Sequence, residues 1–68
     1  MLTDTDLAVL RFAARAPRSL GAREDAIRTE LGMSPIRYYQ RLNILLDNSE
    51  ALAAEPQLVR RLQRLRDA

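Results

Sequence analysis

Apolar residues return every three or four positions along most of this chain, and no stretch alternates apolar with polar residues as a half-buried strand would. Neither an Asn-Gly nor an Asp-Gly pair is present to mark a hairpin. The pattern predicts an all-α fold, a small bundle of three or four helices. A first helix is expected from about Thr5 to Arg15, capped by Thr3 or Thr5, with Asp4 and Asp6 at the positive end of its dipole. Leu7, Leu10 and Ala14 share one face of it, widened by Val9, Phe12 and Ala13. Pro17 and Gly21 then break the helix around APRSLG. The second helix, expected from Ala22 to Leu31, has a narrow stripe of Ala26, Ile27 and Leu31, with Leu20 reaching over from the loop. So thin an apolar face is stable only when packed against both neighbours.

The stretch ELGMSPIRYYQRLN is the clearest boundary in the sequence. Gly32 suits the left-handed residue that ends a helix, Ser34 can cap the next helix, and Pro35 suits its first position. A third helix is therefore predicted from Pro35 to Leu46. Tyr38, Leu42 and Leu45 lie along its inner side, with Tyr39 and Leu46 widening that side. At roughly 100° per residue, Arg37, Gln40 and Ile44 point away from it. Ile36 and Asn43 flank the outward arc, and Arg41 lies at the edge of the core face.

The segment DNSEALAAEP reads as a connection that can hold a short helical turn capped by Asn48 or Ser49. Pro56 can open the last helix, with Leu58, Leu62 and Leu65 on its inner side, Val59 beside them, and Arg60 and Arg64 on the opposing stripe. No repeat, low-complexity run or long linker divides the chain. The expected organisation is a single domain over 1–68, with 22–46 as the core bihelical unit and 56–67 as a basic C-terminal helix.

Composition narrows this picture. Sixty-eight residues give room for one modest core, and the only aromatics are Phe12, Tyr38 and Tyr39, so leucine, isoleucine and alanine must fill most of it. The chain has no cysteine and no histidine. That removes the usual protein-derived zinc sites and the Cys/His nucleophile–base pairs, so neither a metal nor a cofactor is expected. Ser34 has no identifiable base, and the carboxylates Glu24, Asp25 and Glu30 define no organised pocket; no enzyme is expected. Glu24–Arg28 reads as a favourable surface pair and Arg37–Arg41 as a repulsive one. No run approaches the roughly 20 apolar residues that a membrane span requires. The start, MLTDTDLAVL, is acidic rather than basic, which fits a cytoplasmic protein better than a secreted one.

The formal charge is only +2, but it is unevenly spread. All 11 basic residues are arginine, and the closing segment LVRRLQRLRDA sets Arg60, Arg61, Arg64 and Arg66 against Asp67. A basic end of this kind suits phosphate, an anionic membrane or an acidic protein surface. The outer face of the third helix is more specific. Arg37 and Arg41 can meet phosphates or guanine edges, while Gln40 and Asn43 can present the paired donor and acceptor that suit adenine. Ser34 and the free amides of the first turn form a candidate phosphate anchor. Arg60 and Arg64 would hold flanking phosphates or support a second subunit. Ile44, an apolar residue on the same outer face, is the candidate for contact with a protein.

TELGMSPIRYYQRL resembles the helix-turn-helix of bacterial regulators and of the promoter-binding part of sigma factors, through Leu31, Gly32, Met33 and Ser34. It departs from that pattern at Arg28, where alanine is favoured, and at Arg41, near which an apolar residue is favoured and Leu42 is found. Over Gly21 to Arg66, the RYYQ-LN segment and the EALA–P–LV–RL–RLR ending are similar to a family of small actinobacterial helix-turn-helix-like proteins of uncharacterised function. The uncharacterised family implies the fold alone; the compact turn and the outward residues, with the helix-turn-helix resemblance, lead us to expect double-stranded DNA binding and transcriptional regulation through the helix that begins at Pro35, with a homodimer enlarging a contact that is small for one module. The alternative is a small protein-interaction module that binds a partner in the transcription machinery.

Overall fold

The computed structural model describes residues 1–67; Ala68, the end of the expected 1–68 domain, lies outside the described residues. Five α-helices are present among them, with no strand: α1 (Asp4–Arg15), α2 (Leu20–Ala26), α3 (Pro35–Leu46), α4 (Ser49–Ala54) and α5 (Pro56–Asp67). A π-helical segment, Ile27–Leu31, continues α2. The class is the all-α one expected, but the helices outnumber the three or four predicted. The extra one is α4, where Asn48 Oδ1 accepts from the Glu50 backbone N–H at 2.7 Å and stabilises a helix in the expected connection.

Two helices begin earlier than the apolar pattern suggests. Thr3 caps α1 in a reciprocal box: its hydroxyl accepts from the Asp6 N–H at 3.0 Å, and the Asp6 carboxylate accepts from the Thr3 N–H at 3.1 Å. Asp4 is thereby the first helical residue, ahead of the expected Thr5. The start of α2 moves from Ala22 to Leu20 because Arg23 reaches back over the preceding loop. Its guanidinium donates to the carbonyls of Pro17 at 3.1 Å and Arg18 at 2.9 Å, holding that loop against the helix.

The widened turn at Ile27–Leu31 coincides with Thr29, whose hydroxyl donates to the carbonyls of Asp25 at 3.0 Å and Ala26 at 3.4 Å. Back-bonding of this kind bends helices. The expected Glu24–Arg28 pair does not form; Arg28 meets Asp25 at 3.4 Å instead, three residues away on the same exposed face. Gly32 closes the segment with φ 64°, a left-handed conformation that strains any residue with a Cβ.

α3 occupies its predicted bounds and is the central element, packed by α1, α4 and α5. The core consists of Val9, Leu10 and Phe12 from α1, Ile27 from the π segment, Tyr38, Leu45 and Leu46 from α3, Ala51 from α4 and Val59 from α5. No residue of α2 itself is buried, so the second helical stretch is anchored by Ile27. The Phe12 and Tyr38 rings meet edge to face at 5.4 Å, joining α1 to α3.

Three inward assignments fail. Leu20 does not reach over from a loop but opens α2 and is 59% exposed. Ala14 is exposed, because the buried line of α1 runs through Asp6, Val9 and Leu10 with Phe12 beside it. Leu65 is 65% exposed: Val59 is the buried residue of α5, and Leu65 stands off the core although Gln63 and Arg66 on either side of it reach the end of α3. Glu55 leaves helical space (φ −137°, ψ 68°) between α4 and α5, as the residue before a proline is driven to do.

Candidate nucleic-acid interface

Ser34 ends the turn after Gly32 in an extended conformation, and its hydroxyl accepts from the Arg37 N–H at 3.2 Å. Its oxygen thus satisfies one of the free amides at the head of α3. Pro35 follows at the first helical position, where its missing N–H leaves no bond unmade. From this start the helix turns Tyr38, Leu45 and Leu46 inward and leaves Ile36, Arg37, Gln40, Asn43 and Ile44 exposed.

Arg37, Gln40, Arg41 and Ile44 come together along one shallow depression of about 410 Å³, closed by Thr5 of α1 and Met33 of the turn. Asn43 is exposed on the same helix but does not line it. Thr5 and Met33 carried no recognisable site signal in the sequence, since an N-terminal threonine and a turn methionine have ordinary structural readings.

Arg41 differs from its neighbours. Its Nε donates to Asp6 Oδ1 at 2.6 Å, and Asp6 is only 3% exposed. The expected repulsion between Arg37 and Arg41 is thereby offset by a carboxylate that spacing along α3 did not reveal. The Arg41 guanidinium bonded to Asp6 holds that carboxyl below the usual carboxylate range; burial opposes this, and the Thr3 N–H and hydroxyl add to the lowering. Arg41 remains 41% exposed at its side chain, so one edge is fixed to the protein while the rest faces the depression. Among the described residues, no carboxylate pairs with Arg37.

Arg60 and Arg64 line a second depression with Gln63 and Asp67, sharing no residue with the first. α5 reaches α3 at that helix's other end. Gln63 Nε2 donates to the Leu46 carbonyl at 2.6 Å, and Arg66 meets Asp47 at 3.2 Å. A 12-residue helix spans about 18 Å, so these contacts stand nearly a helix length from Ser34. Of the seven residues expected to touch DNA, the structure thus brings Arg37, Gln40 and Arg41 together with Ile44, places Asn43 beside them on α3 and Ser34 at its head, and sets Arg60 and Arg64 apart on α5.

Tyr38 anchors α3 as expected. Burial pushes its phenol up to about 12, with Tyr39 adding to the rise and Arg23 opposing it. Tyr39 packs edge on against Tyr38 at 5.0 Å, and its hydroxyl accepts from Arg23 at 3.3 Å. No group of three or more carboxylates that could hold a metal ion occurs among the described residues. No described helix is long and apolar enough to cross a membrane.

The fold and this surface define a small all-α protein with an arginine- and amide-bearing helix face and no metal-ligating cluster among its described residues. The chain belongs to the family described as protein of unknown function DUF3263, matched over residues 1–68. The match includes α1, which the resemblance over Gly21 to Arg66 left out. Neither the curated proteins nor the solved structures offer a match.

Proposed function

We propose that the chain binds double-stranded DNA through α3, in a helix-turn-helix arrangement similar to that of bacterial regulators and sigma factors, and influences transcription without catalysing a reaction. The observation that carries this reading is the division of α3 into a buried side and an exposed one that bears Arg37, Gln40 and Asn43. A helix entering the major groove needs such a division, with donors and acceptors one turn apart on its outer face. The Ile36 N–H, the one first-turn amide left free by Pro35 and the Ser34 cap, and the hydroxyl hydrogen of Ser34 supply a phosphate anchor, and Arg41 offers the groove the edge not bonded to Asp6. Arg60 and Arg64 contact flanking phosphates or a second subunit; a homodimer would enlarge an interface that is small for one such module. DNA as the target goes with a cytoplasmic location.

The test is enrichment from a random duplex library, against matched single strands, at two salt concentrations. Duplex-selective binding is expected, weakening with salt as phosphate neutralisation releases counterions. Arg37→Ala combined with Gln40→Ala should weaken the selected site by about tenfold or more, given 1–3 kcal/mol per bidentate contact, with the helical circular dichroism unchanged. No binding to duplex or single strands by the unaltered chain would sink the assignment.

A second reading is favoured by Ile44, 57% exposed within the same outward face, and Ile36, 72% exposed at its edge. Under it, α3 meets a protein of the transcription machinery. Ile44→Asp would then abolish capture of purified RNA polymerase while leaving duplex affinity intact; equal capture by both proteins would exclude it.

A further inference from the structure

A third concavity lies away from the face assigned to DNA. It has a volume of about 440 Å³, is bounded by α1, the loop after it, α3 and α5, and shares no lining residue with the Arg37–Gln40 depression. Leu42, Leu62 and Leu65 give it an aliphatic lining, and on the α1 side Ala13, Ala14 and Ala16 keep it open. Arg18, Arg23 and Arg61 also line it, and no carboxylate does. Among the described residues, none of these three arginines is paired with an acid. Arg23 is held in place by the Pro17 and Arg18 carbonyls and the Tyr39 hydroxyl. It is a fixed cation whose hydrogen-bond partners bring no countercharge.

We infer that this cleft is a docking groove for an acidic amphipathic helix of a partner protein, separate from the proposed DNA face. The choice of occupant follows from the two kinds of surface found together. Leucines beside small residues accept an apolar helical stripe at close range, as helix-in-groove recognition requires. Unpaired arginines complement carboxylates flanking that stripe, and arginine and tyrosine are the side chains that most often anchor interfaces. A nucleic-acid backbone would leave the leucines without an apolar partner. A bilayer surface is flat and would not fill a concavity among three helices.

A second copy of the chain also fits poorly. Its exposed large apolar side chains are Met1, Leu20, Ile36, Ile44 and Leu65. Ile36 and Ile44 share their face with Arg37, whose charge opposes the groove, and Leu20 is the one large apolar side chain exposed on α2.

The inference goes beyond DNA binding, and its test can fail while that reading stands. The full chain is titrated into a labelled synthetic helix of about 18 residues, roughly five turns, with leucines along one face and glutamates on either side. The same peptide with lysine for glutamate serves as control. Saturable binding of the acidic peptide is expected, with amide shifts at Leu42, Arg61, Leu62 and Leu65. Arg18→Glu with Arg61→Glu should weaken it by about tenfold or more, as like-charge contacts replace complementary ones. Leu65→Ser should weaken the peptide severalfold while leaving helicity and duplex DNA affinity unchanged.

Equal binding of the lysine peptide, or shifts centred on Arg37 and Ile44, would overturn the proposal. So would Leu65-dependent association with vesicles of phosphatidylglycerol and phosphatidylcholine in the absence of peptide binding. A concentration-dependent dimer dissolved by Leu65→Ser would replace the partner helix with a second copy.

Discussion

α3 is tied down at two places, past its middle and at its C-terminal end, by similar chemistry in different surroundings. Towards α1, Arg41 meets an Asp6 carboxylate that is nearly out of water and also accepts from the Thr3 N–H. Towards α5, Arg66 meets Asp47 on the open surface, and Gln63 alone reaches a backbone carbonyl. Solvent decides the value of each bond. At the first place a lost partner would strand a charge in a site that water barely reaches; at the second, water simply replaces it. The contact of α1 with α3 should therefore dominate the polar contribution to stability, and α5 should hold mainly through Val59 and its partly buried leucines.

The sharpest way to break this contrast is Arg41→Ala. It should destabilise the chain by about 2 kcal/mol, below the 3–5 typical of a fully buried pair because the guanidinium is partly wet. Urea unfolding followed by circular dichroism measures it. In an Asp6→Asn background the same substitution should cost markedly less, since no charge is left stranded. Equal costs in both backgrounds would remove the distinction.

Acid provides a second test. The Asp6 carboxyl is depressed in the folded chain, so its contribution is present above the unfolded value near 3.9 and is lost as pH falls through the lower folded value. The stability difference between the parent chain and Asp6→Asn should therefore shrink below about pH 4. A difference that stays constant to pH 2 or grows would contradict the assignment.

Smaller effects belong to the C-terminal end. Gln63→Ala withdraws the donor from the Leu46 carbonyl in a part-buried position and should cost about 1 kcal/mol. Arg66→Ala should leave the thermal midpoint unchanged, because both its carboxylate partners are well exposed. An Arg66 effect as large as that of Gln63 would mean that the surface pair matters more than its exposure suggests.

α3 was legible to the residue because Gly32, Ser34 and Pro35 act locally, through φ, a hydroxyl and a missing N–H. The exposure of Arg37, Gln40, Asn43 and Ile44 was legible for a related reason: phase along a helix follows from Tyr38 and Leu45. The bond between Asp6 and Arg41 was not. They lie 35 positions apart, and an aspartate in a first turn is already accounted for by the dipole and the cap. The exposure of Leu65 was equally hidden, since a three-and-four spacing tells which way a side chain points but not how closely the neighbouring helices pack there. The groove beside it was missed for the same reason: Arg18, Arg23 and Arg61 come from three separate segments, and only the packing of α1, α3 and α5 puts them around one set of leucines.

A helix in a bundle can roll about its long axis and slide along it. The guanidinium of Arg41 and the carbonyl of Leu46 fasten α3 to α1 past its middle and to α5 at its end. Two fixed points along one rod, held by different neighbours, oppose both motions. Whatever meets the outward face finds Arg37 and Gln40 already aimed, and the ordering that remains is confined to their side-chain torsions, about 0.5–1.5 kcal/mol for each.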